Sequence, residues 1–390
     1  MDPTNNPFAP GAGSPPPELA GRDDILEATR ISYVKAKRGL PSRSFMLLGL
    51  RGVGKTVLLN EIGRRAQADG MAVSMVESPE YESLAELLYP LMGKVLRSLS
   101  ATAKAKDLVE RGLSGLRNFA RSLKIKIDDV EISINSEPGI ADSGNIEYDL
   151  PDMFELIGEA AKKADKAWVL LIDEVQYLSS KDLSALIVGL HKMAQKQLPV
   201  VFIGAGLPQT ARLAAEAKSY AERLFVWNRI GPLNEAAVKE AVVKPLISRN
   251  TRINDDAVKE IYQKTEGYPF FIQAWAYSVW EQSEGPGITL EDVRQAQQVT
   301  LQSLDDGFFH VRLDRLTDME LTYARAMSDL GRGPYKAGEI AKQMGREVRA
   351  LSQVRGSLIK KGLIYSPCHG TLDFTVPLFA DYLQRTLQVV

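Results

Sequence analysis

Short apolar runs alternate along the chain with longer stretches in which hydrophobic residues recur every three or four positions. The runs predict buried strands at Phe45–Leu48, Ala72–Val76, Trp168–Ile172, Val200–Ile203 and Leu224–Trp227. The stretches between them predict amphipathic helices. Strands that are apolar on both faces and alternate with helices are typical of a parallel sheet that is covered on two sides. The pattern therefore predicts an α/β domain over residues 19–230.

The alternation is interrupted at about residues 100–150. Apolar residues at helical spacing first predict an amphipathic helix between Leu108 and Leu123. Apolar and polar residues then alternate from Ile125 to Ile134, around the pair Asp128-Asp129, which predicts a hairpin. We expect a helix and a hairpin inserted in the sheet domain, where they form a candidate surface for a protein partner.

Three further segments flank the predicted sheet domain. Residues 1–18 contain six prolines and little to bury, so we expect them to be extended or mobile. Residues 231–310 keep a helical period and predict a small helical domain. Residues 311–390 predict three helices and two short strands, Leu363–Tyr365 and Thr371–Thr375. That order of elements is typical of a winged helix.

Composition and charge narrow the function. The chain has 48 Lys and Arg against 49 Asp and Glu, and this balance excludes binding of nucleic acid by bulk positive charge. Residues 311–390 carry 12 basic and 8 acidic residues, so a nucleic-acid surface would be local to that end. One cysteine and three dispersed histidines exclude an internal disulfide and a structural zinc site. Without a signal peptide or membrane span in the pattern, we expect a cytoplasmic protein.

Residues 49–56 read Gly-Leu-Arg-Gly-Val-Gly-Lys-Thr and match the P-loop motif at every specified position. Glycines let backbone N–H groups converge on phosphate, and the following helix directs its positive end at the same anion. Lys55 reaches the β and γ oxygens and the Thr56 hydroxyl binds Mg²⁺. An ordinary glycine turn is the alternative, but a strand before and a helix after favour the phosphate site. The predicted ATP-binding residues are Gly49, Arg51, Gly52, Val53, Gly54, Lys55, Thr56 and Val57.

A second motif follows the third predicted strand, which runs directly into Asp173-Glu174. Such an acidic pair alone is commonly just a turn or the start of a helix. Together with a P-loop it is the Walker B arrangement, in which Asp173 holds Mg²⁺ and Glu174 acts as general base on the attacking water. The pair therefore predicts ATP hydrolysis.

These motifs resemble the AAA+ superfamily, and more closely its Orc1/Cdc6-like (AAA_16-type) branch and the neighbouring STAND ATPases. The resemblance covers about residues 19–385. It includes Gly21-Arg22-Asp23, which is similar to the GRD/GRE sequence motif that lies next to the adenine in these families. It implies a P-loop NTPase sheet with strand order 5-1-4-3-2, an α-helical lid at 231–310 and a winged helix at 311–390. It further implies ATP and Mg²⁺ as ligands, Arg22 as a nucleotide contact, and a homo-oligomer.

Three more positions bear on activity. Arg223 precedes the fifth strand where AAA+ proteins carry an arginine finger, which acts on a neighbouring subunit. A surface arginine at a helix end is the alternative for this residue. The fourth strand ends Ile203-Gly204-Ala205-Gly206. AAA+ proteins usually carry Asn, Thr or Ser here, the sensor 1 residue that orients the attacking water, and this chain has no such polar residue. Pro269, in a stretch similar to the G-x-P motif of STAND proteins, would lie near the nucleotide and couple the lid to its state.

The third predicted helix of the C-terminal segment and its flanks are basic. Its candidate contacts with double-stranded DNA are Arg346, Arg349, Arg355 and Lys360. A solvated helix face, or a docking site for a protein, is the alternative.

Two functions follow from this pattern. The first is an ATP-binding and ATP-hydrolysing switch whose nucleotide state controls oligomerisation and contacts of the winged helix with DNA or a partner. The second is a STAND-like signalling or defence scaffold, which holds ATP structurally and docks a protein. The missing sensor 1 residue and the G-x-P-like stretch at Pro269 argue against fast turnover and favour the nucleotide-controlled switch.

Overall fold

The computed structural model describes residues 1–11, 13–80, 82–125 and 139–387. These residues form two compact units, each discontinuous in sequence. The first, here called the sheet unit, comprises Arg22–Gly49 and Lys55–Ile230. The second, the C-terminal unit, comprises Met1–Gly21, Leu50–Gly54 and the chain from Gly231 onward. In the described part of the chain, no helix combines the length and the apolarity that crossing a membrane requires.

Five parallel strands make up the sheet of the sheet unit. They are β1 (Ser44–Leu48), β2 (Ala72–Glu77), β3 (Trp168–Asp173), β4 (Val200–Gly206) and β5 (Phe225–Arg229). Its helices are α1 (Asp23–Lys37), α2 (Lys55–Ala68), α3 (Leu84–Leu99), α4 (Lys106–Ser122), α5 (Ile146–Lys163), α6 (Ser180–Lys196), α7 (Thr210–Ala217) and α8 (Ala221–Leu224).

The strands pair in the order β2-β3-β4-β1-β5, which read from the other edge is the 5-1-4-3-2 order that the family resemblance implies. Every residue of β1, β3 and β4 is buried, because these inner strands are covered on both faces. The fourth strand is longer than its apolar run predicts. Its glycine-containing end, Gly204–Gly206, still pairs with β1 at Met46–Leu48. The predicted α/β class is confirmed.

The inserted helix of the sequence analysis is α4. Its apolar face, including Val109, Leu116 and Phe119, belongs to the main hydrophobic core together with α3 and α5. The predicted hairpin that follows it lies outside the described residues, from 126 to 138.

The C-terminal unit continues with a mainly helical segment. It contains α9 (Glu235–Ile247), β6 (Arg252–Ile253), α10 (Asp255–Thr265), α11 (Pro269–Gln282), β7 (Gly287–Ile288) and α12 (Leu290–Leu304). A π-helical stretch at Asp305–Phe309 joins α12 to α13 (His310–Leu313). The two-residue strands β6 and β7 pair with each other and are too short to have produced a sequence signal.

The last segment has the predicted winged-helix order with two additions. It comprises α14 (Asp318–Asp329), β8 (Tyr335–Lys336), α15 (Ala337–Gln343), α16 (Ser352–Lys360), β9 (Ile364–Tyr365), β10 (Thr371–Phe374) and α17 (Phe379–Leu387). The hairpin of β9 and β10 gains a third antiparallel strand, β8, on the other side of β10. Sequence analysis identified neither β8 nor α17.

The N-terminal residues make specific contacts with α11 that their proline-rich composition does not predict. The Trp280 indole N–H donates to the Asp2 carbonyl over 2.9 Å, and the Asn6 amide donates to Glu281 over 2.8 Å. Phe8 is only 3% exposed. A single buried aromatic residue can anchor a segment that is otherwise poor in apolar side chains.

A buried carboxylate ties the helices of the winged helix together. Glu320, in the capping box of α14, has a side chain that is 4% exposed. It accepts hydrogen bonds from the Lys361 ammonium at 2.7 Å, the Ser357 hydroxyl at 2.6 Å and the Thr317 N–H at 2.7 Å. Burial raises the pKa of Glu320, but these hydrogen bonds outweigh it and bring the pKa to about 2.

Because the folded-state pKa of Glu320 lies below its ordinary value of 4.5, its stabilising effect is complete above that value and is lost as the pH falls towards 2. Glu320→Gln should therefore reduce the free energy of unfolding by about 2 kcal/mol at pH 7, and by less at pH 3. Urea unfolding at both pH values measures this. Glu339→Gln, at an exposed pair with Lys336, is the matched control and should leave stability unchanged. An equal loss for Glu320→Gln at both pH values would contradict the assignment.

Candidate nucleotide site

The loop between β1 and α2 has the backbone of a phosphate-binding turn. Gly52 and Gly54 have φ values of +82° and +88°, which glycine adopts without strain. Val53 between them is buried at 1% exposure. The Lys55 side chain, 6% exposed, donates from Nζ to the carbonyl of Gly49 over 3.0 Å. The ammonium is thus held at the mouth of the turn, at the positive end of α2.

The two predicted magnesium ligands lie in direct contact. Thr56, in the first turn of α2, donates from its hydroxyl to Oδ2 of Asp173 over 2.5 Å. Asp173 ends β3 and is 2% exposed. Burial raises the pKa of Asp173, and the hydrogen bond from Thr56 opposes that rise. A carboxylate and a hydroxyl placed together in this way form a hard oxygen donor set of the kind that Mg²⁺ prefers.

Glu174 follows Asp173 in an unusual backbone conformation. Its φ and ψ of 53° and 40° lie in the left-handed region, which costs a non-glycine residue free energy. Its N–H donates to Oδ1 of Asp173 over 2.8 Å, and its carboxylate accepts a hydrogen bond from the side chain of Gln176. The two acids therefore point from the same edge of the sheet in fixed directions.

The end of β4 carries no polar side chain, as the sequence indicates, but polar atoms from elsewhere surround it. The Leu207 N–H donates to Oε1 of Gln176 over 3.0 Å. A Cβ atom at Gly206 would lie 2.5 Å from the Thr210 hydroxyl oxygen and 2.9 Å from Oε1 of Gln176. Sequence analysis missed Gln176 because only the fold brings residues 176 and 207 together.

In the C-terminal unit, the P-loop residues contact the start of α11. The Phe270 N–H donates to the Gly52 carbonyl over 3.3 Å. Pro269 occupies the first turn of α11, where a missing N–H costs nothing. A Cβ at Gly267 would lie 2.1 Å from the Leu233 carbonyl oxygen, so the chain has no room for a side chain there. The backbone contact with the P-loop thus comes from Phe270, the residue after the predicted Pro269.

Arg51 lies against the winged helix. A Cβ at Gly362 would lie 2.6 Å from Nη2 of Arg51, and Gly362 has a φ of +66°. Both facts favour glycine at position 362. Burial, together with the nearby charges of Arg51 and Arg315, lowers the pKa of Arg312 to about 10. Arg312 also lies over the Phe308 ring, 3.7 Å from its centroid. Arg312 therefore lies close enough to the P-loop residue Arg51 to feel its charge, and sequence analysis had singled out only Arg51.

Three other predicted site residues, Arg22, Val57 and Arg223, lie on or beside helices of the sheet unit. Arg22 precedes α1, and burial lowers its pKa. Val57 is half-buried on α2, and Arg223 is exposed on α8, two residues before β5.

The four candidate DNA contacts of the winged helix lie partly in the turns before α16 and partly on α16 itself. Arg346 and Arg349 are exposed in the turns before α16, because that helix begins only at Ser352. Arg355 is half-buried on α16 and Lys360 is exposed at its end. Lys361, the next residue, is instead committed to Glu320 and to the Arg315 carbonyl.

Two family models match separate parts of this chain. Residues 18–203 match the family described as the AAA ATPase domain (AAA_16), and residues 306–383 match a domain of unknown function (DUF8462). The first match includes the P-loop and Asp173-Glu174, and the second coincides with the winged helix. No curated protein matches the chain.

Two solved structures are similar over nearly the whole chain. The Walker-type ATPase paby2304 of Pyrococcus abyssi has a TM-score of 0.56 at 15% identity, covering 94% of this chain and 96% of that protein. The ORC2 protein of Aeropyrum pernix, solved as ADPNP and ADP complexes, has a TM-score of 0.52 at 14% identity, covering 97% of both chains. At such identities the likeness concerns the fold alone. Residues 18–203 of this chain thus match the AAA ATPase domain family, in agreement with the sequence resemblance.

Proposed function

We propose that this protein is an ATP-hydrolysing molecular switch whose nucleotide state controls oligomerisation and the contacts of its winged helix. The observation that carries the proposal is the group formed by Thr56, Asp173 and Glu174 at the carboxyl edge of the sheet, next to the buried ammonium of Lys55. Ligands of α/β sheets bind at this edge. The nucleotide complexes named for the similar Aeropyrum protein agree with this assignment.

The residues fit Mg²⁺-ATP. Backbone N–H groups of residues 49–56 and the Lys55 ammonium would hold the phosphates, and Thr56 with Asp173 would hold the metal. When bound, Mg²⁺ neutralises negative charge on the phosphate oxygens. Arg22, ahead of α1, is the proposed contact on the adenine side.

Glu174 is the proposed general base. Its carboxylate lies one residue beyond the magnesium ligand Asp173, at the same edge of the sheet. It would orient a water molecule and accept its proton as the water oxygen attacks the γ-phosphorus. Hydrolysis then gives ADP and phosphate.

Arg223 is proposed to act on a neighbouring subunit of a homo-oligomer. Its side chain is exposed on α8, as a residue that reaches another subunit must be. A guanidinium stabilises the charge that develops on the transferred phosphoryl group. Turnover would then depend on assembly.

Signal transfer to the winged helix is proposed to run through the P-loop residues of the C-terminal unit. Gly52 contacts Phe270, and Arg51 lies against Gly362. A phosphate bound in the turn attracts Arg51 and so competes with its position against Gly362. Nucleotide state would thereby change how the winged helix is held and which of its surfaces are available.

The proposed target of the winged helix is double-stranded DNA. Arg346, Arg349 and Lys360 are exposed and free to meet phosphates without breaking an ion pair recorded among the described residues. With about four contacts, binding by one subunit is weak and requires an oligomer for avidity. If the wild-type protein does not bind duplex DNA, a protein partner replaces DNA as the proposed target.

Nucleotide binding is tested by Lys55→Ala. Loss of the ammonium should weaken ATP binding by roughly 10- to 100-fold, because hydrogen bonds to charged groups contribute about 1.5–3 kcal/mol. Isothermal titration calorimetry measures the Kd. Lys55→Met keeps the buried aliphatic stem and should show the same loss, which separates charge from packing. Unchanged affinity in a folded Lys55→Met protein would contradict the assignment.

Hydrolysis is tested by Glu174→Gln. Replacing the carboxylate removes the base but keeps the shape, so turnover should fall roughly 10²- to 10⁴-fold while ATP binding is retained. Phosphate release and nucleotide titration give the two numbers. Glu222→Gln, an exposed acid on α8, is the control and should keep wild-type turnover. If wild-type protein is inactive with and without DNA, a scaffold that holds ATP structurally replaces the enzyme.

DNA binding is tested by Arg349→Glu combined with Arg355→Glu. Wild-type affinity should fall with salt at a log–log slope of roughly −3 to −4, and the double variant should lose binding at moderate salt. Fluorescence anisotropy with a labelled duplex and ATP measures both. The control is the double variant Arg249→Glu, Arg294→Glu. It makes the same charge change at two exposed positions, one just after α9 and one on α12, and should retain DNA binding. Absence of binding by wild type at low salt would exclude DNA and leave a protein partner.

A further inference from the structure

The end of β4 poses a problem for the proposed hydrolysis. The strand finishes Gly204-Ala205-Gly206, which supplies no side-chain group to orient a catalytic water. Without a partner, the Glu174 carboxylate could rotate about its Cβ–Cγ and Cγ–Cδ bonds. A general base is efficient only when it is held in hydrogen-bonding geometry with the water. Some other group must therefore fix the carboxylate.

The side chain of Gln176 connects Glu174 to the end of β4. Its Nε2 donates to Oε2 of Glu174, and its Oε1 accepts from the Leu207 N–H over 3.0 Å. The orientation of the amide is determined by its partners, because the carboxylate can only accept and the main-chain N–H can only donate. One side chain thus spans the end of β4 and the predicted base.

The missing side chain at Gly206 is explained by the same arrangement. A Cβ there would come within 2.9 Å of Oε1 of Gln176 and 2.5 Å of the Thr210 hydroxyl oxygen. Carbon atoms do not approach oxygen that closely without displacing it. The space beside the strand end is therefore filled by an amide that arrives from the turn after β3.

We infer that Gln176 is the positioning residue of Glu174 and does the work of the polar residue that β4 lacks. The inference rests on the proposed hydrolysis and identifies how the base is held. Leu207 anchors the amide on one side, and the amide directs the carboxylate on the other. Gln176 touches neither ATP nor the metal in this scheme and acts through Glu174.

Two substitutions separate anchoring from positioning. Gln176→Glu keeps an acceptor for the Leu207 N–H but replaces the donor to Glu174 with a like charge. Gln176→Met preserves the approximate length and removes both hydrogen bonds. Both variants should lower kcat roughly 10- to 100-fold, the cost of a misplaced catalytic group, and leave the Kd of ATP within about twofold.

A double-mutant cycle shows whether Gln176 acts through Glu174. In the Glu174→Gln background, single-turnover hydrolysis should change less than twofold on adding Gln176→Met, because the group to be positioned is already gone. Gln197→Met, at the end of α6, is the matched control and should leave kcat unchanged in either background.

The possible results are distinguishable. If the wild type hydrolyses ATP and Gln176→Glu has the same kcat, the positioning role is overturned and the proposed hydrolysis stands. The hydrogen bond to the Leu207 N–H would then be the only function of Gln176. Equal loss from Gln176→Met in the wild-type and Glu174→Gln backgrounds would also overturn it. No turnover by wild type, despite ATP binding, would overturn the proposed hydrolysis and this positioning role together.

Discussion

The hydrogen bond between Thr56 and Asp173 joins the first turn of α2 to the last residue of β3. Burial of the Asp173 carboxylate costs free energy, because the charged group loses its hydration. Hydrogen bonds from the Thr56 hydroxyl and the Glu174 N–H offset that cost. Parallel pairing of β3, β4 and β1 brings the carboxyl ends of these strands to one edge. The P-loop, the acidic pair and the end of β4 therefore occupy neighbouring positions.

Much of this arrangement could be predicted from the sequence because its signals are local. Each inner strand is an uninterrupted apolar run, and the P-loop glycines and the pair Asp173-Glu174 lie directly after such runs. The strands β6, β7 and β8 each pair one apolar residue with Arg, Gly or Lys, so no apolar run marks them, whereas the equally short β9 lies in the run Leu363–Tyr365. The bridge from Gln176 to Leu207 and the contact of Arg51 with Gly362 depend on residues distant in sequence, so no local pattern indicates them.

The contacts that residues Leu50–Gly54 make within the C-terminal unit underlie the proposed switch. Residues Leu50–Gly54 group with the C-terminal unit, whereas Gly49 and Lys55 on either side group with the sheet. In the C-terminal unit, this part of the loop contacts the helical segment at Phe270 and the winged helix at Gly362. Such contacts allow nucleotide binding to favour one arrangement of the C-terminal unit over another.

The close approach of Arg51 to Gly362 also constrains how the sequence can vary among descendants of a common ancestor. With a long side chain at position 51, any residue larger than glycine at position 362 displaces the guanidinium and strains its own backbone. A lineage that shortens residue 51 removes one of these two barriers. Position 362 is therefore expected to remain glycine even in such a lineage, because its positive φ disfavours any side chain regardless of the length of residue 51.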